Sequence, residues 1–87
     1  MKPFLGATVI LVGISSNGSS EHPALINRVW DKRDTVDGPV AVNVTVFPDC
    51  QEPTCRTSVM LFQTSEEARG HIGKYSGGVA AYWPEGA

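Results

Sequence analysis

Val40-Ala41-Val42-Asn43-Val44-Thr45-Val46-Phe47-Pro48-Asp49 sets valine at every second position, with small or polar residues between. Valine and threonine are stiff at χ1 and favour the pleated backbone, and a period of two is that of a strand with one buried face. The spacing predicts that Val40, Val42, Val44 and Val46 face a core while Asn43, Thr45 and Phe47 face away from it. A strand of this kind needs a sheet closed around it.

The flanking sequence supplies one. Upstream, Ala7 to Val12 is a short apolar run between Gly6 and Gly13, of strand length. Ile14 to Pro23 is polar and rich in turn residues and reads as a loop. A second strand is expected from Ala24 to Asp31, with Pro23 tolerated at its start. Lys32 to Pro39 reads as another loop, with Asp37-Gly38 as a turn. Downstream, Pro48 to Thr54 makes a tight connection into a fourth strand, Arg56 to Gln63, with Val59 and Leu61 on one face and Met60 and Phe62 on the other. Thr64-Ser65-Glu66-Glu67 has the spacing of a capping box, but Gly70 and Gly73 limit the helix to a turn or two. Gly77-Gly78 then release the chain into a last strand, Val79 to Trp83, stopped by Pro84. This order is that of a small all-β domain over residues 1–87, a five-stranded SH3-like barrel with one short helical turn before the last strand. An OB-like barrel is the alternative, and it more often places a helix between the third and fourth strands.

At 87 residues a single domain buries only about 60% of the surface its unfolded chain exposes, so closure or self-association would help. Seven basic residues against nine acidic ones, with no basic stripe, argue against binding that works by neutralising phosphates along a nucleic acid. The apolar run after Lys2 imitates the core of a signal peptide. It is preceded by one positive charge and followed by no Ala-x-Ala site, so a buried N-terminal strand is the expectation, and it is too short to span a bilayer.

Chemistry-bearing motifs are sparse. Cys50 and Cys55 flank a four-residue tip and are open to three readings: free thiols, a disulfide, or half of a metal site lacking its other ligands. His22 beside Glu21, with Asp31 and Asp49 elsewhere, forms an acid/base set only on paper, because no nucleophile stands at a recognisable elbow. No phosphate-binding glycine pattern occurs. A catalytic residue, a metal and a cofactor are therefore not expected. The aromatic residues are more informative: Trp30, Phe47, Tyr82 and Trp83 all stand at strand ends. Arg28 and Trp30 share one face of the second strand, and Asn43, Thr45 and Phe47 one face of the third. If those faces point outward and the strands pair, they form a polar-aromatic platform suited to stacking on a base or gripping a partner chain. The competing reading is that Trp30 and Trp83 cap the core at its two ends.

His22-Pro23-Ala24, Arg28-Val29-Trp30, Val42 to Asp49 and the terminal Tyr82-Trp83-Pro84-Glu85 make the chain resemble a family of small SH3-like-barrel proteins encoded by tailed bacteriophages. Gly6 to Val9 resembles that family's first strand, and the Cys50 to Cys55 loop departs from its pattern. The resemblance implies a fold and a setting in the host bacterial cytoplasm, with no catalytic residues to carry over. By analogy with small phage accessory proteins, it implies a non-catalytic, homo-oligomeric binding protein that counters a host defence. One form is a sponge for a nucleotide-type immune signal, in which Trp30, Phe47, Tyr82 and Trp83 stack on the base, Asn43 and Thr45 hydrogen-bond, and Arg28, Arg56 or Arg69 meet the phosphates. The other form is a protein-interaction module that inhibits a host enzyme or serves as a minor virion component.

Overall fold

The computed structural model describes residues 3–30, 39–74 and 78–84. The valine strand behaves as its period demands. It forms β3, Val40–Val46, in which all four valines are at most 4% exposed while Asn43 and Thr45 lie half-buried on the other face. Each fully buried valine stabilises the fold by about 1.5–3 kcal/mol. Around it run β1 (Thr8–Ser16), β2 (Ser19–Val29), β4 (Thr54–Phe62) and β5 (Ala80–Tyr82), with helix α1 (Ser65–Lys74) between the last two. The strands close into a barrel in chain order. The first four are antiparallel neighbours, α1 carries the chain over so that β5 runs parallel to β4, and β5 closes antiparallel onto β1. The helix thus stands before the last strand, as the SH3-like order requires, and not where the OB-like alternative would put it.

The core is Val9, Leu11, Ala24, Ile26, the β3 valines, Val59, Leu61, Ala81 and Trp83. A second cluster packs Ala68 of α1 on Val12 and Ala80, with Phe62, Ile72 and Tyr82 at its margin.

Two local expectations are corrected. Ile14 to Pro23 is no loop: β1 runs to Ser16, β2 starts at Ser19, and Asn17-Gly18 alone makes the turn. Both turn residues have positive φ, 51° and 82°, the signature of the two-residue hairpin turn that suits strand twist. Pro23 consequently lies within β2, but at the last rung on the β3 side, where it accepts from the Phe47 N–H and has no N–H to return. The helix is also longer than Gly70 and Gly73 suggested, ten residues. Thr64 caps it: its Oγ1 accepts from the Glu67 N–H at 3.3 Å and donates to Glu67 Oε1 at 3.0 Å. The apolar contacts of Ala68 and Ile72 outweigh a glycine penalty of about 1 kcal/mol each. The expected turn at Asp37-Gly38, and the release at Gly77, lie outside the described residues.

Candidate functional site: the outer face of β2, β3 and β4

Two β-bulges decide which side chains reach this face. In β2 the inward parity of Ala24 and Ile26 would carry Arg28 and Trp30 into the core. An extra residue, Asn27, intervenes: Ile26 pairs with Val44, yet Arg28 pairs with Asn43. The parity switches, Val29 packs against the core, and Arg28 and Trp30 turn outward. In β4, Val59 pairs with Val42 and Arg56 with Val44, so Thr57 and Ser58 together oppose Asn43. Ser58 has φ of 55°, and beyond it Cys55 joins Thr45 on the outer face.

Asn43 therefore sits between two bulges, and its Oδ1 holds both. It accepts from the Trp30 Nε1–H at 2.8 Å and from the Ser58 backbone N–H at 2.9 Å. The Arg28 guanidinium carbon lies 3.8 Å from the centroid of the Trp30 ring system, a cation–π stack on an indole that is 46% exposed. Further along, Asn27 Nδ2 donates to Thr45 Oγ1 at 2.6 Å, and Thr45 Oγ1 lies 3.9 Å from Cys55 Sγ. Leu25 pairs with Thr45, and Leu25 and Phe47 are exposed. The face thus carries a cation stacked on an anchored indole at one end, amide and hydroxyl groups in the middle and two apolar side chains at the other.

Of the residues singled out from sequence, Arg28, Trp30, Asn43, Thr45 and Phe47 are brought together. Trp83 and Tyr82 are not. Trp83 is 7% exposed within the core, with Phe4 stacked beside it at 6.3 Å, so the core-capping reading holds for Trp83 and fails for Trp30. Tyr82 is on β5, separated from β3 by β4, and its hydroxyl donates to Glu21 Oε1 at 3.0 Å. Burial, and then the Glu21 carboxylate, push the Tyr82 phenol up, with Arg69 opposing. Arg69 is ion-paired to the same Glu21, which fastens α1 to β2 and places Arg69 away from the platform. Asn27 and Leu25 join the site although neither was singled out; only the bulge and the strand pairing reveal them.

His22 is a buried strand residue, 1% exposed, and not a solvated loop histidine. Its Nδ1 accepts from the Asp49 N–H at 3.3 Å and its Nε2 donates to the Ile14 carbonyl at 2.9 Å, the neutral tautomer that satisfies both. With both nitrogens committed it has no lone pair to offer as a base. Ser16 Oγ donates to the Asp49 carbonyl, and Asn17 Nδ2 donates to Asp49 Oδ2, so this cluster ties the β3–β4 loop to the β1–β2 turn. Cys50 and Cys55 are both free thiols and exposed, which decides against the disulfide reading. A hydrogen bond to the Asp49 carboxylate, and its charge, hold the Cys50 thiol up and disfavour the nucleophilic thiolate. Among the described residues no three His, Cys, Asp or Glu side chains converge as a metal site would require, and no helix is long and apolar enough to cross a membrane.

The chain matches no family model, no curated protein and no solved structure.

Proposed function

We propose that the chain is a non-catalytic binding protein whose β2–β3–β4 face receives a flat, anionic ligand of nucleotide type, and that it serves a bacteriophage by sequestering such a signal in the host cytoplasm. The observation that carries the reading is the Arg28–Trp30–Asn43 unit. Asn43 fixes the indole, and Arg28 sets a positive charge beside an aromatic surface, so base stacking and phosphate pairing are served by adjacent side chains. Arg56, on the neighbouring strand, is paired with the inward Val44 and so stands on the other side of the sheet, which leaves Arg28 to meet the phosphates on this face. The phage setting and the anti-defence role rest on the sequence resemblance alone.

The test is to incubate the purified protein with cyclic dinucleotides and ADP-ribose derivatives, denature it by heat and analyse what is released. Release of an intact ligand, lost in Trp30→Ala and Arg28→Ala with the fold preserved, is the expected result. Conversion of the ligand would replace this reading with an enzymatic one.

A second reading is favoured by Leu25 and Phe47, which leave apolar area exposed on the same face. With Trp30 and Arg28, the residue types that dominate binding energy at protein interfaces, they suit a host protein as partner. Retention of no small molecule, with capture of a single host protein that Trp30→Ala abolishes, would select this reading.

A further inference from the structure

We infer that the open edge where the chain enters β4, residues 52–56, is a strand-pairing surface for a second copy of this chain. β4 pairs with β3 at Thr54, Cys55 and Arg56, but its pairing with β5 is confined to Met60, Leu61 and Phe62. Among the described residues no strand and no backbone hydrogen bond occupies the other side of Thr54–Ser58, and all five residues are exposed. The closed barrel therefore keeps one open edge: the backbone groups of Thr54 and Arg56 turn toward Val46 and Val44 of β3, while the N–H and C=O of Cys55 turn outward, where they can recruit another strand.

The side chains specify which strand. Glu52 and Arg56 lie symmetrically about Thr54, and no ion pair joins either of them to a described residue. When two such segments pair antiparallel about a two-fold axis through Thr54, each Arg56 stands directly opposite the partner's Glu52, Thr54 faces its own copy, and each Cys55 N–H donates to the partner's Pro53 carbonyl, proline having no N–H to return. Opposite charges facing each other across an antiparallel pair stabilise it, while like charges in that position destabilise it. A two-fold axis through Arg56 would instead set the two guanidinium groups opposite one another, so the charge pattern selects the register as well as the partner. Thr54 and Arg56 pair with the inward Val46 and Val44, so the partner strand extends the sheet beside the core valines. A segment this short gives a dimer that dissociates on dilution.

Sedimentation over a concentration series tests the inference without reference to any ligand, so it stands or falls apart from the platform reading. The parent protein is expected to show a monomer–dimer equilibrium. Glu52→Arg should leave it monomeric, and the double exchange Glu52→Arg with Arg56→Glu should restore the dimer, because the two charges face each other again. With Cys50 and Cys55 replaced by serine, Thr54→Cys should form a disulfide-linked dimer under mild oxidation, since directly opposed residues in an antiparallel pair lie within disulfide range. A monomer at every concentration, a dimer indifferent to Glu52→Arg, or a double exchange that stays monomeric would overturn the inference.

Discussion

The indole Nε1–H of Trp30 and the backbone N–H of Ser58 converge on one atom, Asn43 Oδ1, at 2.8 and 2.9 Å. Trp30 directly follows β2 and Ser58 is the positive-φ residue of the β4 bulge, so a single amide on β3 links the irregularities of both its neighbours. The bulges bring Trp30 and Ser58 to the amide, and the amide keeps the bulges from relaxing into regular pairing.

Asn43→Ala removes both acceptor contacts at once. At about 1 kcal/mol for each exchanged hydrogen bond, and with partial solvation of this half-buried position, the expected loss is about 1–2 kcal/mol in urea denaturation. In a Trp83→Phe background, where Trp30 is the sole tryptophan, its indole should also become more accessible to acrylamide quenching. Unchanged stability together with unchanged quenching would show that the amide does not organise the face.

The alternation in β3 made its faces readable because a run of valines every second residue has no other economical use, and the parity of Val59 and Leu61 in β4 was readable for the same reason. Bulges leave no such signature. Nothing in Ile26-Asn27-Arg28 announces that one residue is skipped in pairing, yet that skip turns Trp30 outward, while the visually similar Trp83 stays in the core. The Asn17-Gly18 turn did carry a signal, obscured because serines flank it where apolar residues usually mark a hairpin. The length of α1 was set from outside the helix, by the surface of Val12, Phe62 and Tyr82 that Ala68 and Ile72 cover.

Gly13 has φ of 108°, and a Cβ built there would lie 2.5 Å from the Gly78 carbonyl oxygen. Backbone strain of about 1–3 kcal/mol and the displacement of the segment entering β5 should therefore act together in Gly13→Ala. The expectation is a drop in the thermal midpoint far larger than that of Gly70→Ala, where, among the described residues, nothing beyond the local helix backbone lies within 4 Å of the added carbon and helix propensity improves. Equal midpoints for the two variants would contradict this account of the β1–β5 junction.

Trp83 is buried in the core, and its Nε1–H has no acceptor among the described residues. A buried unsatisfied donor costs about 1–3 kcal/mol, so Trp83→Phe trades lost ring volume against relief of that cost. It should destabilise far less than Trp83→Ala, which opens a cavity and loses about 3–5 kcal/mol. Denaturant midpoints of the two variants measure the difference; a Phe variant as unstable as the Ala variant would mean that the indole donor is satisfied in solution.

The Tyr82 hydroxyl donates to Glu21, the carboxylate that also pairs with Arg69, so it helps hold α1 and β5 to the β1–β2 hairpin. Its pKa is raised above the ordinary tyrosine value, first by burial and then by the adjacent carboxylate. The folded state thus holds the phenolic proton more tightly than the unfolded chain does. The resulting stability is fully present below the unfolded value of about 10 and is lost as pH rises through the higher folded value. Tyr82→Phe should cost about 1 kcal/mol at neutral pH through the lost hydrogen bond. It should also flatten the alkaline decline in stability, so that the two proteins converge as the pH climbs above about 10. Urea midpoints followed from neutral into alkaline pH supply the measurement, and parallel curves would show that the phenol's proton is not coupled to folding.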